Sequence, residues 1–164
     1  MGISALSEMQ ENVSQAFSQS VTDIVVLSPT GTGKTLAYLL PLVESINLAS
    51  DELQAMVIVP GRELALQSAS VLASMGSGVR GYACYGGRMA MDEHREMRKV
   101  CPQIVFGTPG RLIDHLDKDN LSASAIRTLV IDEFDKCLDM GFADEMKALM
   151  HRLKEVRRHV LLSA

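Results

Sequence analysis

The chain has 164 residues, of which 47% are apolar and 4% aromatic, and its formal net charge is −4. This length suffices for one domain with a proper core and no supporting metal or disulfide, and the aliphatic composition favours an α/β fold over an aromatic-rich β-sandwich. The negative charge argues against a protein that binds polyanions over its whole surface, so any nucleic-acid contact must come from a local patch.

Short β-branched runs alternate with longer amphipathic stretches, a pattern typical of repeated βα units and a parallel sheet. Six strands are predicted, at Ile24–Leu27, Ala55–Val59, Val79–Tyr85, Ile104–Phe106, Thr128–Ile131 and Val160–Leu162. Helices are predicted near Ser7–Gln19, Lys34–Leu48, Arg62–Met75, Met91–Val100, Gly110–Leu116 and Ala143–Val156. Runs that are apolar at every position indicate strands covered by helices on both faces, and Pro41 predicts a kink or break in the second helix.

The charged segments Met89–Lys99 and His151–His159 are interpreted as solvated helix faces. The four histidines lack metal-ligand spacing, and we expect no special role for them. They are His94, His115, His151 and His159.

The three cysteines form no Cys-x-x-Cys pair, which indicates neither a disulfide framework nor a zinc site. The N-terminus has no basic stretch leading into an apolar one, and no apolar run reaches membrane-spanning length. We therefore expect a soluble, cytoplasmic, monomeric protein without a membrane partner.

The stretch Leu-Ser-Pro-Thr-Gly-Thr-Gly-Lys-Thr lies between the first predicted strand and the second helix. Gly31 and Gly33 allow successive backbone N–H groups to face one anion. Lys34 adds an ammonium beside the phosphates, and Thr35 offers a hydroxyl to Mg²⁺ at a helix N-terminus. The strict phosphate-loop pattern would place glycine where this chain has Ser28. The stretch predicts a triphosphate site, and the alternative is a tight turn without a ligand.

Three other predicted strands end in polar residues, where an α/β sheet binds its ligands. Asp132 and Glu133 follow one strand, and there they can hold Mg²⁺ through water and activate the attacking water, unless Asp132 merely caps the next helix. Arg62 and Arg111 stand where two helices begin, after the other two strands. These helix starts are either plain caps or paired cradles for a polynucleotide backbone.

Taken in order, these stretches resemble the first RecA-like domain of DEAD-box RNA helicases over almost the whole chain. The matching segments are Gly2–Gln10, Ser28–Thr35, Pro60–Ala65, Gly86–Gly87, Thr108–Arg111, Asp132–Asp135 with Leu138–Phe142, and Ser163–Ala164. The resemblance implies a three-layer RecA-like fold, with residues 1–164 as one ATP-binding domain, ATP and Mg²⁺ as cofactors, and single-stranded or duplex RNA as partner.

The resemblance also gives each group a role. Lys34, Asp132 and Glu133 would be catalytic, and Thr35 and Asp132 would hold Mg²⁺ through water. Gln10 would pair with the adenine edge, and Asp135 would bond to Ser163 and couple the site to the strand beneath it. The nucleotide-binding residues would be Gln10, Thr30, Gly31, Thr32, Gly33, Lys34 and Thr35. The RNA-binding residues would be Pro60, Gly61, Arg62, Gly86, Gly87, Thr108, Pro109, Gly110 and Arg111.

The chain departs from the family pattern at several places, among them Leu6 and Ser7, which stand where the family usually has Pro-Thr. Gly61 stands where the family has a phosphate-contacting threonine, which predicts weaker RNA binding, and Phe134 replaces a small residue and needs its own pocket. The chain stops at Ala164, before the second RecA-like domain of the family, so we expect residues 1–164 alone to be nearly inactive.

Two alternatives remain at this point. A DNA helicase or translocase would share the phosphate loop and the acidic residues, although Gln10 and Thr108–Arg111 disfavour it. A nucleotide-binding RNA adaptor without turnover is disfavoured by the presence of Lys34, Asp132 and Glu133.

Overall fold

The computed structural model describes residues 5–19 and 23–164 of the chain. The strands are β1 (Ile24–Leu27), β2 (Ala55–Ile58), β3 (Gly81–Cys84), β4 (Ile104–Gly107), β5 (Thr128–Ile131) and β6 (Arg158–Ser163). The helices are α1 (Glu8–Gln19), α2 (Lys34–Glu44), α3 (Arg62–Ser74), α4 (Ala90–Val100), α5 (Pro109–Asp117), α6 (Phe134–Cys137) and α7 (Ala143–Arg152). A π-helical turn, Leu138–Phe142, joins α6 to α7. The first residues of the segment Gly2–Gln10, which resembles the family, lie outside the described residues; they are Gly2–Ser4.

The strands form one parallel sheet in the order β1-β6-β5-β2-β4-β3. Because every strand runs in the same direction, all six carboxyl ends meet at one edge of the sheet. The predicted α/β fold with a parallel sheet flanked by helices is confirmed.

Successive side chains of a strand point to opposite faces of the sheet, so the core consists of two clusters, one on each face. Val57 of β2 packs with residues of α1, α2 and α3, whereas Met56 and Ile58 pack with residues of α4, α5 and α7. All residues of β2, β4 and β5 are buried, as expected for strands covered on both faces. Strand β1 differs, since Val25 and Leu27 are 65% and 74% exposed.

Several element boundaries differ from the predicted ones. Of the kink or break predicted at Pro41, the break does not occur, because α2 continues to Glu44. The helix ends there, before the predicted Leu48, as Ser45 turns its hydroxyl onto the carbonyl of Leu42 (2.6 Å). Strand β3 begins later than predicted because the amide of Arg80 donates to the side chain of Gln103 (3.1 Å). Helix α6 and the π-helical turn were not predicted.

The expectation that helix α4 is a purely solvated charged face is also wrong. Glu93 is fully buried together with His115 of α5, and their side chains bond to each other with 2.7 Å between Glu93 Oε2 and His115 Nε2. The expectation that His115 has no special role is therefore wrong as well.

Among the described residues, each helix is too short or too polar to cross a lipid bilayer.

Candidate functional site

The carboxyl edge of the sheet carries two groups of polar residues, one on each half of the strand order. The loops after β1 and β5 bring together the glycine-rich loop and the Asp132–Glu133 pair, with β6 between the two strands. The loops after β2, β4 and β3 bring together the predicted RNA-binding residues. We call these groups the nucleotide half and the RNA half of the edge.

The glycine-rich loop turns directly into α2. Gly31 and Gly33 have φ angles of +80° and +83°, in the left-handed region that side chains rarely adopt. A Cβ atom on Gly33 would also lie 2.5 Å from Nε2 of Gln10. Position 33 thus favours glycine for its backbone angle, whereas the end of the flexible Gln10 side chain can move aside.

The polar side chains of this loop are bonded to the loop itself. Lys34 Nζ donates to the carbonyl of Ser28 (2.6 Å), and the hydroxyls of Ser28 and Thr32 lie 2.7 Å apart. Thr32 also donates to the carbonyl of Pro29 (2.8 Å). These partners are neutral groups at a partly exposed loop, so a phosphate, which bonds more strongly to an ammonium, can replace them. Ser28, the departure from the strict pattern, closes the loop through its hydroxyl.

Gln10 joins the start of α1 to the glycine loop. Its Oε1 accepts the N–H of Ser7 (2.9 Å), the Ser7 hydroxyl accepts the N–H of Gln10 (3.3 Å), and its Nε2 donates to the carbonyl of Gly33 (3.2 Å). The two residues form a capping box. Sequence reasoning missed this second role, although Ser-x-x-Gln before an amphipathic run is its usual signal.

Asp132 is buried at the end of β5, with 3% of its surface exposed. Loss of hydration raises its pKa to about 6, and the nearby charge of Lys34 acts in the opposite direction. Its Oδ1 accepts the N–H of Glu133 (2.9 Å), the residue that precedes α6. A buried carboxylate near an ammonium is an arrangement frequently found at functional sites.

Glu133 adopts the left-handed conformation, with φ and ψ both 50°. Such backbone strain in a residue other than glycine is concentrated at functional sites. The carboxylate lies 3.2 Å from Nζ of Lys136, with 29% of the side chain exposed, and is therefore accessible from the edge of the sheet.

Asp135 and Ser163, the predicted coupling pair, are brought together. The Ser163 hydroxyl at the end of β6 lies near the carboxylate of Asp135 and lowers its pKa. Phe134, which replaces a small residue of the family pattern, packs against the core cluster on the α4, α5 and α7 face. The ring thus has the pocket that its size requires.

The RNA half presents two helix N-termini and an exposed glycine turn. Gly61, in an extended conformation, precedes α3, and Thr108 precedes α5. Gly86 and Gly87 are exposed after β3, and the φ of Gly87 is +91°. These backbone N–H groups share one edge, an arrangement suited to phosphate groups.

The two arginines of this half differ in their surroundings. Arg62 is exposed, with its guanidinium 4.9 Å from the centre of the Tyr85 ring. The Arg111 side chain is only 13% exposed; its Nε donates to the carbonyl of Tyr85 (3.2 Å) and lies 3.3 Å from Glu93 Oε2. Arg111 also donates to the carbonyl of Arg88. The sequence predicted that both arginines lie at this edge. It did not reveal that Arg111 pairs with the buried carboxylate of Glu93.

Glu93 itself was missed. Its spacing from Met97, four residues later on the same buried face of α4, is the one signal that could have revealed its burial.

Comparison with known proteins gives the family. The model of the DEAD/DEAH box helicase family matches residues 7–164. The ATP-dependent RNA helicase CshA of Listeria monocytogenes serovar 1/2a is 40% identical over 144 residues, which cover 87% of this chain and 28% of that protein. The DEAD-box ATP-dependent RNA helicase CshA of Bacillus subtilis is 39% identical, with coverages of 87% and 29%.

Two solved structures have the same fold. A hypothetical ATP-dependent RNA helicase from Sulfolobus tokodaii superposes with a TM-score of 0.88 at 31% identity, over 100% of this chain and 47% of that one. A DEAD box protein from Methanococcus jannaschii gives a TM-score of 0.89 at 28% identity, with coverages of 97% and 44%. The chain spans less than a third of the length of the curated relatives named above. From the family match, the shared fold and the residues at the sheet edge, we conclude that this chain belongs to the DEAD/DEAH box helicase family.

Proposed function

We propose that this chain is the ATP-binding motor domain of an ATP-dependent RNA helicase. It binds ATP with Mg²⁺ and the RNA backbone, and it couples ATP hydrolysis to local strand separation once a second RecA-like domain of the same natural chain is present. The observation that carries the proposal is the meeting of the glycine loop with Asp132 and Glu133 at one sheet edge, beside the RNA half.

The phosphates bind at the N-terminus of α2. The ammonium of Lys34 leaves the carbonyl of Ser28 and moves onto the phosphates, and the loop amides and the positive end of the helix add to the attraction. The left-handed angles at Gly31 and Gly33 allow the loop to close around the anion.

The residues at this edge fit Mg²⁺. Thr35 and Asp132 supply the oxygen donors that a hard cation prefers, and the burial that raises the pKa of Asp132 favours a partner that restores the ionised form. When bound, Mg²⁺ neutralises charge on the β- and γ-phosphates.

Glu133 acts on water. Its carboxylate orients the attacking molecule and accepts its proton, while Lys136 holds the side chain at the edge. Gln10 reads adenine, because a carboxamide donates and accepts at once. To do so it exchanges its bonds with Ser7 and Gly33 for the base.

RNA lies across the other half. The N-termini of α3 and α5 and the Gly86–Gly87 turn offer N–H groups to the sugar-phosphate backbone, and Arg62 adds an exposed charge. Contacts of this kind bind with little sequence preference, and 2′-hydroxyl contacts discriminate RNA from DNA. The names of the curated relatives, which specify RNA, support this choice over a DNA translocase.

The proposal is tested by ATP turnover of the longer natural protein with single-stranded RNA and with DNA of the same sequence. We expect RNA to stimulate ATP turnover and DNA of the same sequence not to stimulate it. Equal stimulation by DNA would favour a DNA translocase, and nucleotide binding without turnover would favour an adaptor.

Residues 1–164 alone are expected to hydrolyse ATP negligibly, because an arginine from a second domain contributes on the order of 10³–10⁵ in rate. Lys34→Ala serves as the contamination control for this measurement. Turnover by residues 1–164 at ordinary enzyme rates that is lost in Lys34→Ala would contradict the two-domain mechanism.

A further inference from the structure

A buried polar cluster lies directly beneath the exposed Gly86–Gly87 turn, away from the nucleotide half. Its centre is the carboxylate of Glu93, which is fully buried on α4. Glu93 Oε1 accepts the backbone N–H of Tyr85 (3.0 Å), and Oε2 lies 2.7 Å from His115 Nε2 and 3.3 Å from Arg111 Nε. Three donors from two separate segments, the residue that follows β3 and helix α5, thus converge on one carboxylate.

Arg111 extends this arrangement to both ends of the turn. Its guanidinium donates to the carbonyl of Tyr85 (3.2 Å), just before the two glycines, and to the carbonyl of Arg88, just after them. Glu93 therefore holds the turn in two ways, directly through the Tyr85 amide and indirectly through Arg111.

The turn depends on these bonds because it has little packing of its own. Gly86 and Gly87 carry no side chains, both are exposed, and a Cβ added to either would contact nothing within 4 Å. Glycine loses more conformational freedom on ordering than any other residue, so a two-glycine turn needs external bonds to keep one shape.

We propose that Glu93 is a positioning residue that fixes the Gly86–Gly87 turn and Arg111 in the geometry that meets the RNA backbone. This inference rests on the RNA binding proposed above. Pre-ordering the turn lowers the entropic cost of binding, so Glu93 raises RNA affinity without touching RNA.

A metal ion is the other occupant that the cluster suggests, because ligand atoms of Cys84, Glu93 and His115 lie within 4.8 Å of one another. The contacts disfavour it. Asn120 Nδ2 lies 3.1 Å from His115 Nδ1, which places the ring proton on Nε2, facing Glu93. Burial also raises the pKa of the Cys84 thiol, so this sulfur stays protonated. The guanidinium of Arg111 already neutralises the carboxylate.

The test compares Glu93→Gln with Asp92→Asn in residues 1–164. Both variants remove one carboxylate charge from α4, but Asp92 is exposed. Hydrogen exchange is measured over residues 85–89, and binding of a fluorescent single-stranded RNA and of a fluorescent ATP analogue is measured at a temperature where both variants are folded. Zinc content is determined on the purified parent chain.

Glu93→Gln retains an acceptor for the Tyr85 amide but turns an NH₂ group toward the donors of His115 and Arg111. We expect at least tenfold faster exchange over residues 85–89, about tenfold weaker RNA binding and unchanged nucleotide binding, with Asp92→Asn like the parent. A purely structural role would weaken nucleotide and RNA binding together.

Unchanged exchange in Glu93→Gln would overturn the inference, and so would faster exchange with unchanged RNA affinity. Stoichiometric zinc in the parent chain would also overturn it. If the parent chain binds no RNA, the proposed RNA contact fails instead, and exchange over residues 85–89 still decides whether Glu93 holds the turn.

Discussion

The two halves of the sheet edge hold their cationic side chains in different ways. In the nucleotide half, Lys34 bonds to a neutral carbonyl of its own partly exposed loop, that of Ser28. In the RNA half, Arg111 is bound to a fully buried carboxylate and to two carbonyls of a neighbouring turn. The first arrangement can exchange its bonds for a ligand, whereas the second belongs to the fold. Lys34 is thus able to move onto a ligand, whereas Arg111 is held in one position beside the turn.

The largest effect predicted by the difference between Arg111 and Lys34 is on the stability of the fold. Arg111→Gln leaves Glu93 buried without its charged partner and is expected to lower the free energy of unfolding by about 3–5 kcal/mol. Lys34→Gln removes a bond at an accessible loop and is expected to cost less than about 1 kcal/mol. Urea denaturation of both variants measures the difference. Equal destabilisation would remove the distinction between the two halves.

A second effect concerns turnover without loss of structure. Glu133→Gln in the longer natural protein is expected to reduce RNA-stimulated ATP hydrolysis on the order of a hundredfold or more, because the attacking water loses its base. Nucleotide and RNA affinities should persist. Lys136→Gln, which removes the ion-pair partner and keeps the carboxylate, is the matched control. Turnover by Glu133→Gln equal to that of the parent would refute the role of Glu133.

A third effect depends on pH. Burial raises the pKa of Asp132 from 3.8 to about 6, so between these values the folded state binds more protons than the unfolded state. The stability contributed by protonated Asp132 is present below pH 4 and is lost as pH rises through about 6. In buffer without Mg²⁺, Asp132→Asn should therefore gain stability relative to the parent between pH 4 and pH 7, by at most about 3 kcal/mol.

Denaturation at the two pH values measures this difference. A constant difference between the two proteins would show that Asp132 titrates normally and is not desolvated.

The smallest effect sharpens the comparison within the nucleotide half. Gln10→Ala removes both the link to Gly33 and the bond to the Ser7 amide, and it should erode the preference for ATP over GTP while costing about 1 kcal/mol of stability. Ser7→Ala loses the cap on the Gln10 amide but keeps the carboxamide, so it should retain the preference. Competition between ATP and GTP for binding to each variant measures this preference. Unchanged selectivity in Gln10→Ala would leave Gln10 as a capping residue alone.

The sequence predicted the nucleotide half more completely than the RNA half, for a physical reason. The glycine loop is one contiguous stretch whose residue types follow from anion binding, and Asp132 follows an unmistakable buried strand. The Glu93–His115 pair joins residues 22 apart through the fold, and Glu93 lies within a run of charged residues. Local pattern alone could not show that one carboxylate among several charged neighbours turns inward.

The fold class and all six strands followed from short apolar runs that alternate along the chain with longer amphipathic stretches. Such runs are typical of parallel strands that helices cover on both faces. The boundaries depended on single side chains instead. Ser45 ends α2, and Gln103 takes the amide of Arg80, and each does so through a hydrogen bond that competes with regular structure.

The left-handed backbone at Glu133 places stability and function in opposition. A residue with a side chain in this conformation costs about 1 kcal/mol or more relative to glycine, whereas the exposed ion pair with Lys136 contributes little in return. Glu133→Gly should therefore raise the melting temperature of the domain and remove the carboxylate proposed above as the hydrolytic base. If Glu133 has the role proposed above, selection for thermal tolerance alone would favour glycine at this position and yield a more stable protein that lacks its catalytic carboxylate.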